Sequence, residues 1–282
     1  MGRKTVALLI SFLILPLQLY GQELRGTAVV AAFDSNHAVI AVDSRIATTD
    51  GRTGMTCKFV LHPHTLQVAA GSAGYIPAGG GTARTIFDIS NYDSDFSNAK
   101  TAQQLEAAVT AWTETAKSLF QEGFKTTPNL LEINPETGAF LEALFFAVVD
   151  NGTVRAVRVT LIKAPMDNVI TPKVKLVPLP DHDHPSELWF LGEATKTEQE
   201  LLANRTSRAQ SNQKILRDLI DAPTAKDLLN AERAFISLTA EWYPKYVGPP
   251  VDAAEITPTD GIVLATSKAE CARKQDPVRL AR

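Results

Sequence analysis

Gly26-Thr27-Ala28-Val29-Val30-Ala31-Ala32-Phe33-Asp34-Ser35-Asn36-His37-Ala38-Val39-Ile40-Ala41-Val42-Asp43-Ser44-Arg45 reads as two β-prone runs about a polar turn. Residues 27–33 and 38–42 therefore form a hairpin. Residues 58–61 and 66–70 make a second apolar pair around His62-Pro63-His64. Beyond them the period changes. Leu105, Ala108, Val109, Trp112, Ala116, Leu119 and Phe120 recur at helical spacing, so residues 102–122 form an amphipathic helix.

Strands return over residues 141–149 and 154–162, with Asp150-Asn151-Gly152 as the turn, and shorter ones over 173–177 and 188–191. Residues 195–219 form a helical region with a break. Residues 224–242 form another, opened by Thr224 and Asp227 as a capping pair and stopped by Pro244 and Gly248-Pro249-Pro250. Residues 251–256 and 261–265 make a closing hairpin. Strands and helices follow one another without regular βαβ alternation, which gives a layered α+β fold.

Composition sets the outer bounds. The chain has 282 residues, 45% hydrophobic and 21% charged, which excludes a coiled coil or a disordered polymer. A net charge of −3 without a long basic block argues against nucleic acid as the principal ligand. One apolar run exists, at the start. Arg3 and Lys4 precede the apolar residues 6–15, and a more polar stretch leads to Gly21. The run is short for a bilayer span and reads as a cleaved signal peptide over residues 1–21, an uncleaved anchor being the alternative and the only membrane contact. Its loss leaves 26 basic against 31 acidic residues, and a secreted or periplasmic protein. There Cys57 and Cys271 can pair as a disulfide, the alternative being two unrelated thiols. Residues 267–282 form a polar tail.

Four short stretches carry the chemistry: Gly26-Thr27, Ala41-Val42-Asp43-Ser44-Arg45, Cys57-Lys58 and Ala69-Ala70-Gly71-Ser72-Ala73-Gly74. Their order and spacing resemble the proteasome β-subunit-like family of N-terminal nucleophile (Ntn) hydrolases. The closing Val247-Gly248-Pro249-Pro250-Val251-Asp252 also looks like that family's late strand start. Motif-level matching covers about the first fifty residues of 26–266. The resemblance implies a four-layer αββα sandwich of two antiparallel sheets over residues 27–266. It also implies a short propeptide, residues 22–26, removed by cleavage after Gly26. Thr27 would then be nucleophile and, through its amine, base; Lys58 would tune it; Asp43 and Arg45 would hold the lysine region; Gly71 would face the oxyanion. Peptide or amide bonds would be the substrate, no metal or organic cofactor would be needed, and a homo-oligomer would be in keeping.

The chemistry is coherent without the name. A threonine hydroxyl needs a base, and a free α-amine titrates near 7.7–8.0, within reach of neutral pH. A neighbouring ammonium lowers that value, a carboxylate holds the ammonium, and a backbone N–H can stabilise a tetrahedral oxyanion. The second half of the chain departs from the family. Leu191-Gly192-Glu193-Ala194-Thr195 stands where a Ser-Gly-Ser segment is usual, and Pro244 and Val247 stand where an Asp and a Ser support the amine. Glu193, Thr195 or Glu241 could substitute. An inactive proteasome-like binding or assembly protein is the alternative function. A metal-binding protein centred on His182 and His184 is a third.

Overall fold

Residues 28–33 and 38–43 hold nothing but apolar side chains and one terminal aspartate, and both faces of the two strands they form are buried. The computed structural model describes residues 27–47, 53–55, 58–62, 64–71, 76–77, 83–84, 96–126, 138–163, 169–177, 186–222 and 224–265. Strands are β1 (Ala28–Phe33), β2 (Ala38–Asp43), β3 (Arg45–Ala47), β4 (Thr53–Met55), β5 (Phe59–Leu61), β6 (Thr65–Gly71), β7 (Ile76–Pro77) and β8 (Ala83–Arg84). They continue as β9 (Ala139–Val149), β10 (Thr153–Lys163), β11 (Ile170–Leu176), β12 (Glu187–Gly192), β13 (Val251–Thr257) and β14 (Gly261–Ala265). The described α-helices are α1 (Ala102–Thr126), α2 (Glu193–Ala203), α3 (Ser207–Ile220) and α4 (Ala225–Trp242).

The fold is α+β with two five-stranded antiparallel sheets. One runs β12-β1-β2-β13-β14 and the other β11-β10-β9-β6-β5. The period-2 alternation of β1 divides its side chains. Val29, Ala31 and Phe33 join Leu66, Val68, Leu144 and Phe146 of the second sheet in one apolar cluster. Ala28 and Val30 join Leu201, Leu216, Phe235 and Ile236 of α2, α3 and α4 in another. Side chains of α1, among them Leu105, Val109, Trp112 and Phe120, pack on Phe140, Phe145 and Val159 of the second sheet. Each large apolar side chain so buried contributes roughly 1.5–3 kcal/mol.

Local chemistry fixes the helix ends. Thr101 Oγ1 accepts from the Gln104 N–H while Gln104 Oε1 accepts from the Thr101 N–H, a reciprocal cap for α1. That helix runs one turn beyond residue 122, because Gly123 weakens a helix by about 1 kcal/mol without stopping it. The expected break in 195–219 falls at Asn204, held left-handed at φ 49° with its N–H on the carbonyls of Glu200 and Leu201. Thr206 then caps α3. Thr224 Oγ1 caps α4 from the Asp227 N–H, as the sequence pairing suggested. Strands β3, β4, β7 and β8 were not anticipated. Residues 1–26, both cysteines, His182, His184 and residues 267–282 lie outside the described residues, and with them the signal, propeptide and tail boundaries.

Candidate active site

The β1–β2 register pairs Val29 with Val42, so the next step out brings Ala28 opposite Asp43 at the hairpin's open end. The turn Asp34-Ser35-Asn36-His37 sets that register, since Asp34 Oδ1 accepts from the N–H groups of Asn36 and His37. The Asp43 carboxylate consequently lies beside the start of β1. Its Oδ1 accepts from the Ala28 N–H at 2.9 Å and from Lys58 Nζ at 2.7 Å. Its Oδ2 accepts from the N–H groups of Arg45 at 3.1 Å and Gly248 at 3.3 Å. Four donors converge on one carboxylate.

Lys58 immediately precedes β5, an edge strand of the second sheet. A lysine there could simply keep the edge soluble. It does not: Lys58 is 1% exposed and Asp43 0%. Its ammonium bridges the two sheets, donating to Asp43 and, at 3.1 Å, to Thr27 Oγ1. Thr27 is itself 5% exposed. Burial pushes the Asp43 carboxyl above its ordinary value, while the Lys58 charge and the N–H groups of Ala28 and Gly248 act the other way. Taking both ions out of water costs several kcal/mol each, so the pair is poor value as a stabiliser and marks the position as a candidate for chemistry.

Arg45 behaves differently from expectation. Only its backbone N–H meets Asp43; its guanidinium donates to the carbonyl oxygen of Pro244, the residue whose side chain cannot hydrogen-bond. Gly248 lies against that guanidinium, and a Cβ there would fall 2.7 Å from Arg45 Cζ. The Ser44 N–H donates to the Gly248 carbonyl, and Ser44 Oγ donates to Asp252 Oδ2 at 2.8 Å. Ser44 and Arg45 together tie residues 244–252 to the hairpin, and Arg45 meets the carboxylate that holds Lys58 through its backbone alone. Gly248 was not singled out as a donor to Asp43; its only sequence signal was its place in the Gly-Pro-Pro run after α4.

Gly71 ends β6 and pairs with Leu141. The β5–β6 register, Phe59 with Val68, puts it at the same end of the second sheet as Lys58. Of the expected substitutes, Glu193 begins α2 and its N–H donates to the Thr27 carbonyl at 3.0 Å. Thr195 Oγ1 turns back to the Phe190 carbonyl, and Glu241 is exposed. Val247 is buried with the apolar residues around Phe235. Gly26 lies outside the described residues. A cavity of about 360 Å³ lined by Phe33, His37, Ser186 and Leu228 sits at the opposite end of β1 and contains none of these groups. Among the described residues no cluster of three His, Cys, Asp or Glu could hold a metal. No described helix is long and apolar enough to cross a membrane.

No family model and no curated protein matches the chain. Solved structures do resemble it. A mutant of Anbu from Hyphomicrobium sp. strain MC1 aligns at 12% identity and a TM-score of 0.48, over 91% of this chain and 96% of that one. Anbu, described as an ancestral β-subunit, from Yersinia bercovieri aligns at 12% identity and a TM-score of 0.49, over 90% and 95%. These findings correct the family expected from the sequence. The neighbours are Anbu proteins, a proteasome-like group, at an identity that carries no hydrolase assignment, and membership of the Ntn hydrolases is withdrawn. The physical reason is that the resemblance rested on short motifs near residues 26–74, whereas the segments around Glu193 and Pro244 are built from other residue types.

Proposed function

We propose that the chain is an exported hydrolase of peptide or amide bonds in which Thr27, freed by loss of the residues before it, is the nucleophile. The observation that carries this reading is the buried chain Thr27 Oγ1, Lys58 Nζ, Asp43 Oδ1, with links of 3.1 and 2.7 Å. It rests on these residues and not on family membership. The helix, sheet, sheet, helix order of a four-layer sandwich belongs to the same proposal and is supported by the three apolar clusters.

In the first step Thr27 Oγ attacks the Gly26 carbonyl carbon. The C–N bond breaks, the hydroxyl proton passes to the departing nitrogen, and an ester joins Gly26 to Thr27 Oγ. Water hydrolyses that ester, giving a Gly26 carboxylate and restoring the Thr27 hydroxyl beside the α-amine that the first step freed. In turnover this amine takes the hydroxyl proton as Oγ attacks the substrate carbonyl and returns it to the leaving amine. Lys58, donating to Oγ1, stabilises the developing alkoxide and by like-charge repulsion keeps the amine closer to neutral. Asp43 keeps Lys58 charged and aimed. Gly71 supplies its N–H to the oxyanion, a contact of about 3 kcal/mol where such donors have been removed. Export rests on residues 1–21, and self-association is a further part of the proposal.

The alternative, a binding or assembly protein that never frees Thr27, is favoured by one observation: Thr27 is 5% exposed. Acylation by a simple β-lactone separates the two. The hydrolase reading expects one added acyl mass on Thr27, none on Thr27→Ala and strongly slowed addition to Lys58→Met. A folded wild-type chain that takes no acyl group supports the alternative.

A further inference from the structure

Gly192 leaves β12 at φ 62°, ψ −131°, a conformation that suits a glycine, and the turn it makes starts α2 directly beside the nucleophile. The β1–β12 register pairs Ala28 with Gly192, and one residue further the Glu193 N–H meets the Thr27 carbonyl at 3.0 Å. Glu193 is 8% exposed. Its Oε1 accepts from Lys196 Nζ at 2.9 Å, but its Oε2 is shut off from water and has no hydrogen-bond partner among the described residues. A buried carboxylate oxygen left without a donor is costly, and such orphans call for a reason.

We propose that Glu193 is a positioning residue for the Thr27 α-amine, its Oε2 accepting one N–H of that amine once the Gly26–Thr27 bond is cut. The inference rests on the reading of Thr27 as a freed N-terminal nucleophile. A neutral amine has two N–H groups and a single lone pair, and the lone pair works as a base only when it faces Oγ. An acceptor on one N–H fixes that direction. The uncut chain has only one N–H at this nitrogen, so cleavage itself creates the additional donors that can satisfy the orphan. The other residues considered for this role are engaged elsewhere. Pro244 gives its carbonyl to Arg45, Thr195 its hydroxyl to Phe190, and Val247 is apolar and buried.

The charged and titratable groups linked to this position are Asp43 on β2, Arg45 on β3 and Lys58 before β5 on the Thr27 side, and Lys196 and Glu200 on α2, Arg208 on α3 and Tyr243 after α4 on the Glu193 side. Burial raises the Tyr243 hydroxyl from its ordinary value, and it feels Glu200, Arg208, Glu193 and Lys196 in turn, which places Glu193 in the field of this cluster.

The test follows the pH dependence of Thr27 acylation by a β-lactone in processed wild-type protein, Glu193→Gln and Glu193→Asp. A carboxylate beside an amine favours its ammonium form, so removing the charge moves the acid limb of the profile to lower pH by about half to one unit. The plateau rate falls about 10- to 100-fold as the lone pair loses its fixed direction. Glu193→Asp keeps the charge, leaves the acid limb near that of wild type and lowers only the plateau. A purely structural role would move thermal stability and leave the limb in place, and that result overturns the inference. So does a folded Glu193→Gln chain that retains the Gly26–Thr27 bond, because Glu193 would then act on the uncut protein. If the wild type takes no acyl group, it is the nucleophile reading that fails.

Discussion

Asp43 in the first sheet and Glu232 on the helix packed against it are both fully buried carboxyls, and their surroundings could hardly differ more. Asp43 closes β2 and accepts from four donors, one of them the Lys58 ammonium. Glu232, on α4, reaches up to β1 and accepts from the Ala32 N–H alone, at 3.2 Å, while its Oε2 has no partner among the described residues. Burial pushes both carboxyls up, and pushes Glu232 well above its ordinary 4.5 with only one N–H opposing it. The lesson is that burial of an acid is not a site. Asp43 is linked through the Lys58 ammonium to a hydroxyl, whereas Glu232 accepts from a single strand N–H and touches nothing reactive.

The largest expected effect comes from removing that ammonium. Lys58→Met leaves Asp43 buried without its countercharge, and stability should fall by about 3–5 kcal/mol. Acylation of Thr27 should fall by about 10³-fold, of the order lost with a catalytic acid–base group. Adding Asp43→Asn should recover much of the stability and none of the reactivity, as read by a denaturant cycle beside the acylation rate. If the double variant reacts like wild type, Asp43 and Glu232 are the same kind of group after all.

Next is Gly248→Ala. The added methyl drives the Arg45 guanidinium off the Pro244 carbonyl, at about 1–3 kcal/mol by overpacking. In an Arg45→Ala background the same change should cost almost nothing, which urea unfolding of the four proteins will show. Glu232→Gln should act in the opposite sense. An acid whose value is raised on folding binds more protons in the native state, so its contribution declines as pH rises past the unfolded value of about 4.3. Glu232→Gln should therefore stabilise the protein by about 1–2 kcal/mol at pH 7, with the gain vanishing below pH 4. The smallest effect is Thr224→Ala, which uncaps the helix that carries Glu232 for about 1 kcal/mol and leaves acylation at Thr27 unchanged.

Much of this arrangement was legible in the sequence because it is local. The turn at 34–37 dictates the β1–β2 register, and the register alone brings Ala28 opposite Asp43. Apolar periodicity announced α1, and Thr224-x-x-Asp227 announced α4. The Gly248 donor was not legible, since 205 residues separate it from Asp43 and only the β2–β13 pairing joins them. The side-chain partner of Arg45 was hidden for the same reason: the Pro244 carbonyl is a backbone atom that no residue type advertises. Gly71 could be placed at a strand end, but the direction of its N–H depends on how the two sheets meet. Glu232 sits among the apolar periodicity of 224–242, where a charged residue reads as exposed until the strand N–H above it is known.

The measurement that bears most directly on the central claim is the intact mass and N-terminal residue of the exported protein, wild type beside Thr27→Ala. The expected result is a wild-type chain beginning at Thr27 and a variant that keeps the residues up to Gly26. A folded wild-type chain that still begins near Gln22 would contradict it, leaving no free amine to serve as base.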